Sequence, residues 1–215
     1  MKTLLALGDC NTLGVGDLRD NAYPERLGRQ LGRLVKNRGW TMATTREGLN
    51  LARDNLQPDV DILLIQYGLV DSYTTFRYAP YVLYYPDNPL RKQYRSLVKK
   101  YRKVCRRWGL YERFGSREVV GPREYEANLE AIIRLAGSAR VVLVETVPHL
   151  RQERNANIRR YNDILTDIAA RRPNVIKVDL FNLFLTGKEM YYLDETHCNA
   201  TGHELIARRI AGALS

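Results

Sequence analysis

The chain has 215 residues, of which 45% are hydrophobic, and it carries a formal net charge of +10; this length and composition suit a single domain over 1–215 with one well-filled core. Neither a signal-peptide pattern nor an apolar run of about 18 residues occurs, so we expect a cytoplasmic protein without a transmembrane segment. Three scattered cysteines with no CxxC pair exclude a disulfide framework and a cysteine-based metal site.

Strand-like and helix-like segments alternate along the chain. In chain order, the hydrophobic pattern predicts a strand at 3–7, a helix at 21–38, a strand at 41–45, a helix at 48–56, a strand at 60–67, a helix at 122–135, a strand at 139–147, a helix at 154–170, a strand at 175–178 and a helix at 201–214. This order is typical of an α/β fold in which helices cover both faces of a parallel sheet. We therefore predict three layers, α/β/α, with about five parallel strands.

Residues 72–121 interrupt this alternation. An aromatic-rich stretch is followed by a strongly basic segment at 91–107. We interpret the region as an insertion at the rim of the sheet, where open parallel sheets bind ligands. Its aromatic side chains would then line an acyl or acceptor pocket.

The basic segment 91–107 predicts an amphipathic helix, because its apolar residues recur three and four positions apart. Its charge suits an acidic carrier protein, an anionic polysaccharide or a membrane face. A solvated helix that packs on its own core explains the same pattern. No recognised nucleic-acid motif accompanies the charge, so no specific nucleic-acid partner is expected. The apolar residues are Tyr94, Leu97, Val98, Tyr101, Val104, Cys105 and Trp108.

Cys10 follows the first predicted strand, at the sheet edge where α/β folds place their chemistry. A nearby imidazole can hold a thiol as thiolate, and a carboxylate can fix the tautomer of that imidazole. His197 and Asp194 supply the two groups near the other end of the chain. The alternative for Cys10 is a small buried hydrophobe, which is what most free cysteines are.

Four short motifs, in order, resemble those of the SGNH, or GDSL-type, hydrolase family. The sequence 8–10 matches its Gly-Asp-Ser block, with Cys10 in place of the nucleophilic serine. Gly48 matches the oxyanion glycine of the second block. The sequence 68–71 matches Gly-x-Asn-Asp with Val70 in place of the asparagine, and 194–197 matches the final Asp-x-x-His.

The resemblance implies a flavodoxin-like fold and a catalytic triad. Cys10 would be the nucleophile, His197 the base that later acts as acid, and Asp194 the group that orients the imidazole. The oxyanion hole would use the backbone amides of Cys10 and Gly48, although a glycine before a helix often serves only the turn. No metal or organic cofactor is implied.

Val70 cannot donate a hydrogen bond, so the third oxyanion donor of the family is missing. Asn11 or Asn50 could replace it. We therefore expect the substrate-binding residues to be Asn11, Asn50, Val70 and, beside the nucleophile and at the end of the third strand, Asp9 and Asp71. Asp71 also fits a structural role at the end of that strand.

The function implied is acyl transfer through Cys10, either ester or thioester hydrolysis or transfer to another acceptor. A cysteine acyl-enzyme is a thioester, which reacts readily with amines and thiols. The alternatives are a plain carbohydrate or lipid esterase, such as a polysaccharide deacetylase, and a catalytically weak protein that binds an acidic partner on its basic helix. The missing donor at Val70 favours the binding protein, whereas the intact Asp194 and His197 oppose it. Cys10 could also be an engineered replacement for serine.

Overall fold

The computed structural model describes residues 2–215. Its strands are β1 Thr3–Gly8, β2 Leu34–Gly39, β3 Val60–Gln66, β4 Thr74–Phe76, β5 Ser116–Glu118, β6 Arg140–Val144 and β7 Val175–Val178. Its α-helices are α1 Cys10–Leu13, α2 Tyr23–Leu31, α3 Thr45–Asn55, α4 Pro89–Arg107, α5 Leu110–Phe114, α6 Pro122–Leu135, α7 Asn155–Arg171, α8 Phe181–Thr186, α9 Lys188–Tyr191 and α10 Ala200–Leu214.

The main sheet has five parallel strands in the order β2-β1-β3-β6-β7. Successive side chains of β1 enter opposite cores, as a strand's period of two requires. Leu5 and Leu7 pack with residues of α3, α6 and α7, and Leu4 and Ala6 pack with residues of α2, α8 and α10. These two cores confirm the predicted three-layer α/β/α fold.

The predicted helix at 21–38 is wrong beyond Leu31. Gly32 ends α2 in the left-handed region at φ 61°, a conformation that costs glycine little. The following residues form β2, which pairs with one neighbour as an edge strand and has only its last residue, Gly39, fully buried. Because β2 is an edge strand, it lacks the alternating pattern of a buried strand. Its apolar residues happen to fit the helical spacing of α2, and the predicted helix therefore extends to residue 38.

The predicted strand at 41–45 is also wrong. The segment is a loop that ends in the cap of α3, where the Thr44 side chain accepts a hydrogen bond from the Arg46 N–H. Helix α3 consequently begins at Thr45 and not at Gly48. The predicted helix at 122–135 and strand at 175–178 match the structure at both ends.

The buried carboxylate of Glu47 anchors the insertion that follows β3. Its Oε2 accepts hydrogen bonds from the Thr44 N–H at 2.8 Å and hydroxyl at 2.6 Å, and its Oε1 accepts one from the Tyr84 N–H at 2.8 Å. The Tyr81 hydroxyl lies 2.9 Å from both oxygens. The insertion is thereby held against the first turn of α3, at the carboxyl edge of the sheet.

No helix in the described range 2–215 is long and apolar enough to cross a membrane. The cytoplasmic location stays a prediction.

We predict that Glu47→Ala lowers the free energy of unfolding by about 3 kcal/mol, because it leaves buried donors of Thr44, Tyr81 and Tyr84 without an acceptor. Urea unfolding measures this loss, and limited trypsin digestion should show faster cleavage within the basic insertion. Glu204→Ala is the control: it removes a carboxylate from a partly exposed ion pair with Arg26 and should cost about 1 kcal/mol or less. Equal losses in the two variants would contradict the anchoring role.

Candidate functional site

Cys10 is the first residue of α1, directly after the end of β1. The Asp9 side chain caps this short helix by accepting a hydrogen bond from the Asn11 N–H at 2.9 Å. Gly8 permits the sharp exit from the strand, because a Cβ there would lie 1.9 Å from the Thr12 hydroxyl oxygen. The Cys10 side chain is buried, with a relative exposure of 7%.

The side-chain amide of Asn11 links the two ends of the chain. Its Nδ2 donates to the Thr196 carbonyl at 3.0 Å, and its Oδ1 accepts from the Cys198 N–H at 2.9 Å. These bonds hold the peptide groups on both sides of His197. The backbone of His197 is therefore fixed beside the residue that follows Cys10.

Asp194 and His197 form a hydrogen-bonded pair. The His197 Nδ1 lies 2.7 Å from Asp194 Oδ2, while Asp194 Oδ1 accepts the N–H groups of Thr196 and His197 at 2.8 and 2.9 Å. Partial burial opposes ionisation, but these hydrogen bonds and the charge of His197 hold the pKa of Asp194 below its ordinary value. In the neutral ring, a proton on Nδ1 that is donated to Asp194 leaves Nε2 of His197 as a proton acceptor.

The structure brings the expected triad into one region without closing it. No hydrogen bond joins the Cys10 sulfur to His197 in the described part of the chain. His197 is nevertheless near enough for its charge to lower the pKa of Asp9, which burial raises to about 6 against the opposing Asn11 N–H.

The surroundings of Cys10 do not favour the expected thiolate. Burial, and then the neighbouring Asp9 carboxylate, raise the pKa of the Cys10 thiol well above its ordinary value. Both effects favour the neutral thiol over the thiolate.

Gly48 is not an oxyanion donor in this structure. It lies inside α3, where its N–H donates to the Thr44 carbonyl at 3.0 Å. Glycine is required here for a different reason, because a Cβ would lie 2.6 Å from the ring of Tyr67.

Met42 is a further candidate site residue, which its residue type alone does not indicate. Its φ of 61° makes it the one non-glycine residue with a positive φ in the described chain, and such strain gathers at functional sites. Its N–H donates to no acceptor among the described residues. Gly8 and Gly39 are paired partners in β1 and β2, so the loop with Met42 and the turn with Cys10 leave the same edge of the sheet.

The Cys10 N–H is likewise without an acceptor in the described chain, as expected in the first turn of a helix. It and the Met42 N–H replace the predicted pair of Cys10 and Gly48 as candidate oxyanion donors. Methionine gives no sequence signal for this role, because the donor is a backbone group and the strain is visible only in φ.

Of the other expected substrate-binding residues, Val70 lines a cavity, whereas Asp71 and Asn50 do not. Val70 lines a cavity of about 110 Å3 together with Met42 and Tyr73. Asp71 is wrong as a substrate ligand: it is fully buried, and its oxygens accept from the Thr45 N–H and hydroxyl and from the Gly68 N–H. Asn50 lies two residues beyond Gly48 in α3, a rotation of about 200° away from the buried face.

Tyr73 lines this cavity, and its pKa is raised to about 12 by burial and by the Asp9 carboxylate, against the opposing charge of Arg154. Three cationic side chains, and no acidic one among the described residues, line it. Two buried polar atoms in its wall, Thr75 Oγ1 and Arg102 Nε, have no hydrogen-bond partner in the described chain. The cationic residues are Arg95, Lys99 and Arg102.

His149 and His203 have structural roles. Both are buried, and each accepts a backbone N–H at Nδ1, from Arg151 and Tyr23 respectively. Burial lowers the pKa of His203 to about 4, which keeps that ring neutral.

The chain matches one protein-family model in sequence and several solved structures in fold. A model described as the GDSL-like lipase/acylhydrolase family matches residues 6–205. No curated protein matches the chain in sequence.

Solved structures share the whole fold at low identity. A lipase/acylhydrolase from Enterococcus faecalis has a TM-score of 0.66 and 20% identity, covering 99% of this chain and 94% of that one. A putative lipolytic protein of the G-D-S-L family from Desulfitobacterium hafniense has a TM-score of 0.66 and 15% identity, with 99% of both chains covered. A catalytic mutant of Axe2, an acetylxylan esterase from Geobacillus stearothermophilus, has a TM-score of 0.63 and 18% identity, covering 100% and 94%.

We predict that Asp9→Asn lowers the pH at which Cys10 becomes reactive. Asparagine can still cap α1, but it removes a carboxylate that is ionised above about pH 6 and opposes the thiolate. At pH 8, iodoacetamide should modify Cys10 about 3- to 10-fold faster than in the wild type, measured by peptide mass mapping. Asp167→Asn, on the exposed side of α7, is the control, and an unchanged rate in Asp9→Asn would contradict the electrostatic account.

We predict opposite effects for two substitutions at Met42. Met42→Gly should keep acylation activity and change stability by about 1 kcal/mol or less, because glycine adopts positive φ freely. Met42→Val should lower the acylation rate about 100-fold, since a β-branched residue resists this φ and turns the N–H away. Steady-state kinetics and urea unfolding test both, and equal activity of the two variants would exclude Met42 from the oxyanion hole.

Proposed function

This chain belongs to the GDSL-like lipase/acylhydrolase family, and from that premise we propose that it transfers acyl groups through Cys10 with His197 as general base. The observation that carries the proposal is the hydrogen bond between Asp194 Oδ2 and His197 Nδ1 at 2.7 Å, in a segment that Asn11 holds beside Cys10. A structural role for Asp194 alone would not require an imidazole at this position.

In the first half-reaction, Nε2 of His197 takes the proton of the Cys10 thiol as the sulfur attacks the acyl carbonyl. Asp194 stabilises the imidazolium that forms, because its carboxylate keeps the negative charge. The imidazolium then gives its proton to the leaving oxygen or sulfur, and the acyl group remains on Cys10 as a thioester. Water or another acceptor, deprotonated by His197, attacks the thioester and restores the thiol.

The carbonyl oxygen becomes negative during both attacks, and backbone donors are the natural stabilisers of that charge. The N–H groups of Cys10 and Met42 suit this role because neither is engaged by the described chain. Val70 offers no side-chain donor. Substrates with a reactive carbonyl, such as thioesters and activated esters, depend least on a third donor, and this favours thioester chemistry or acyl transfer over hydrolysis of stable esters.

The acceptor side of the substrate fits an anionic group. The cavity beside Tyr73 is lined by three cationic side chains, all of which belong to the basic helix 91–107. An acidic carrier protein that bears an acyl thioester, or an anionic polysaccharide, matches this charge. The second enzymatic candidate is a plain carbohydrate esterase, which the fold shared with an acetylxylan esterase supports.

A binding protein without catalysis is the remaining alternative. The buried Cys10 thiol with its raised pKa and the apolar Val70 support a binding protein. The hydrogen-bonded Asp194–His197 pair opposes it, because binding alone does not need an imidazole that a carboxylate orients.

The decisive test is an intact-protein mass spectrum after mixing the chain with a panel of acyl thioesters and p-nitrophenyl esters. We expect one acyl group, mapped to Cys10, and none in Cys10→Ala. His197→Ala should slow acylation about 1,000-fold or more. Cys105→Ala is the matched control, because Cys105 is also buried but lies in α4, and it should acylate normally.

Acylation that persists in Cys10→Ala, or that is indifferent to His197→Ala, would overturn the proposal. If Cys10→Ser hydrolyses oxygen esters faster than the wild type, the thiol is a replacement within a serine esterase, and the plain esterase becomes the better account.

A further inference from the structure

Helix α4 exposes an apolar stripe along its full length. Six large apolar side chains recur four and three positions apart, and all are at least 43% exposed. Of the face that the sequence pattern predicts as apolar, only Val98 and Cys105 are buried. The other residues are therefore largely exposed to solvent, although the Tyr101 ring also contacts the buried Phe76. The stripe consists of Leu90, Tyr94, Leu97, Tyr101, Val104 and Trp108, with exposures of 77%, 50%, 60%, 43%, 51% and 75%.

A row of cations lies beside this stripe. At 100° per residue, Lys100, Lys103 and Arg107 fall on its solvent flank, one helical turn apart. Nine of the 19 residues of α4 are Lys or Arg, and none is acidic. The helix thus presents a hydrophobic band bordered by positive charge.

The apolar surface continues beyond α4 on the opposite flank. Tyr78 and Phe114 are 62% and 44% exposed, and their rings contact each other at a centroid distance of 6.4 Å. Phe76 connects them to the stripe, because its ring contacts both Tyr78 and Tyr101. The patch is built from more than one segment, which suits a broad surface better than a groove for a single peptide.

We propose that α4 docks this protein onto an anionic lipid bilayer, with the helix lying in the interfacial plane. A stripe of Leu, Tyr and Trp beside a cationic flank is the composition by which interfacial helices insert their apolar side below the headgroups while Lys and Arg meet lipid phosphates. Trp108 and the tyrosines are the side chains that favour the headgroup boundary.

Charge complementarity selects this occupant over two others. A second copy would bring the same cationic row against the first, which is repulsive. A soluble polyanion satisfies the cations but leaves the six apolar side chains in water, so it does not account for the stripe. An anionic bilayer supplies both the negative charge and the apolar layer that the helix surface requires. This docking does not depend on whether Cys10 is catalytic.

Flotation with lipid vesicles tests the docking on the full chain. Trp40→Phe leaves Trp108 as the sole tryptophan, since the chain has two. We expect this protein to float with vesicles of phosphatidylglycerol and phosphatidylcholine, to bind pure phosphatidylcholine about tenfold or more weakly, and to shift Trp108 emission to the blue on binding. Excess salt added before mixing should weaken the association.

Three variants, each made in the Trp40→Phe protein, separate the contribution of the apolar stripe to vesicle binding from that of the cationic row. Leu97→Ser with Val104→Ser should weaken vesicle binding about tenfold or more, because it removes two inserted side chains. Lys100→Glu with Lys103→Glu should abolish the preference for phosphatidylglycerol. Leu135→Ser is the control, since Leu135 is 45% exposed at the end of α6, and it should bind as its parent does.

The proposal is overturned if Trp108 emission does not shift with anionic vesicles, or if Leu135→Ser weakens binding as much as the stripe variant. It is also overturned if the stripe variant abolishes self-association in sedimentation but leaves vesicle binding unchanged, since the stripe would then be a dimer interface. Binding that follows charge alone, with no effect of the stripe variant, would assign the helix to a soluble polyanion or an acidic protein.

Discussion

The side-chain amide of Asn11 provides the constraint on which the proposed site depends. Cys10 and His197 belong to opposite ends of the chain, and Asn11 accepts from one peptide and donates to another on the two sides of His197. Both functions of the amide are used at once, so neither an aspartate nor an apolar residue can reproduce the contact. Asp194 can orient the imidazole from three residues away, whereas Asn11 holds the backbone on both sides of that imidazole beside Cys10.

Burial determines how the thiol must work. A thiolate nucleophile normally lies in an electropositive, partly exposed environment, whereas Cys10 is buried next to Asp9, which raises its pKa. In the proposed mechanism, His197 must therefore remove the proton in the transition state, as with a serine nucleophile. The same enclosure strengthens hydrogen bonds to a developing oxyanion, because the local dielectric constant is low. In the proposed mechanism, the burial that keeps the thiol neutral also favours an oxyanion bound by the N–H groups of Cys10 and Met42, which have no acceptor among residues 2–215.

Patterns that extend over many residues could be predicted from the sequence. The apolar run of β3 and the amphipathic period of α6 are each set by a repeated choice of side chain, and the Asp194–His197 pair is local in sequence. The features that the sequence did not predict depend on a single contact, on an edge position in the sheet or on backbone strain. Gly48 is glycine because of the Tyr67 ring, the edge strand β2 shows no alternating pattern, and the strain at Met42 leaves no trace in residue type. The exposed stripe of α4 has the same period as a buried one, so only the structure distinguishes them.

The central claim is that Asn11 brings His197 to Cys10, and a double-mutant cycle on the rate of Cys10 acylation by one activated thioester tests it most directly. Asn11→Ala alone should slow acylation about 100-fold or more, and it should have little effect when His197→Ala is already present, because the base it positions is gone. A strongly non-additive cycle supports the claim. Additive losses would show that Asn11 and His197 act independently, and would contradict it.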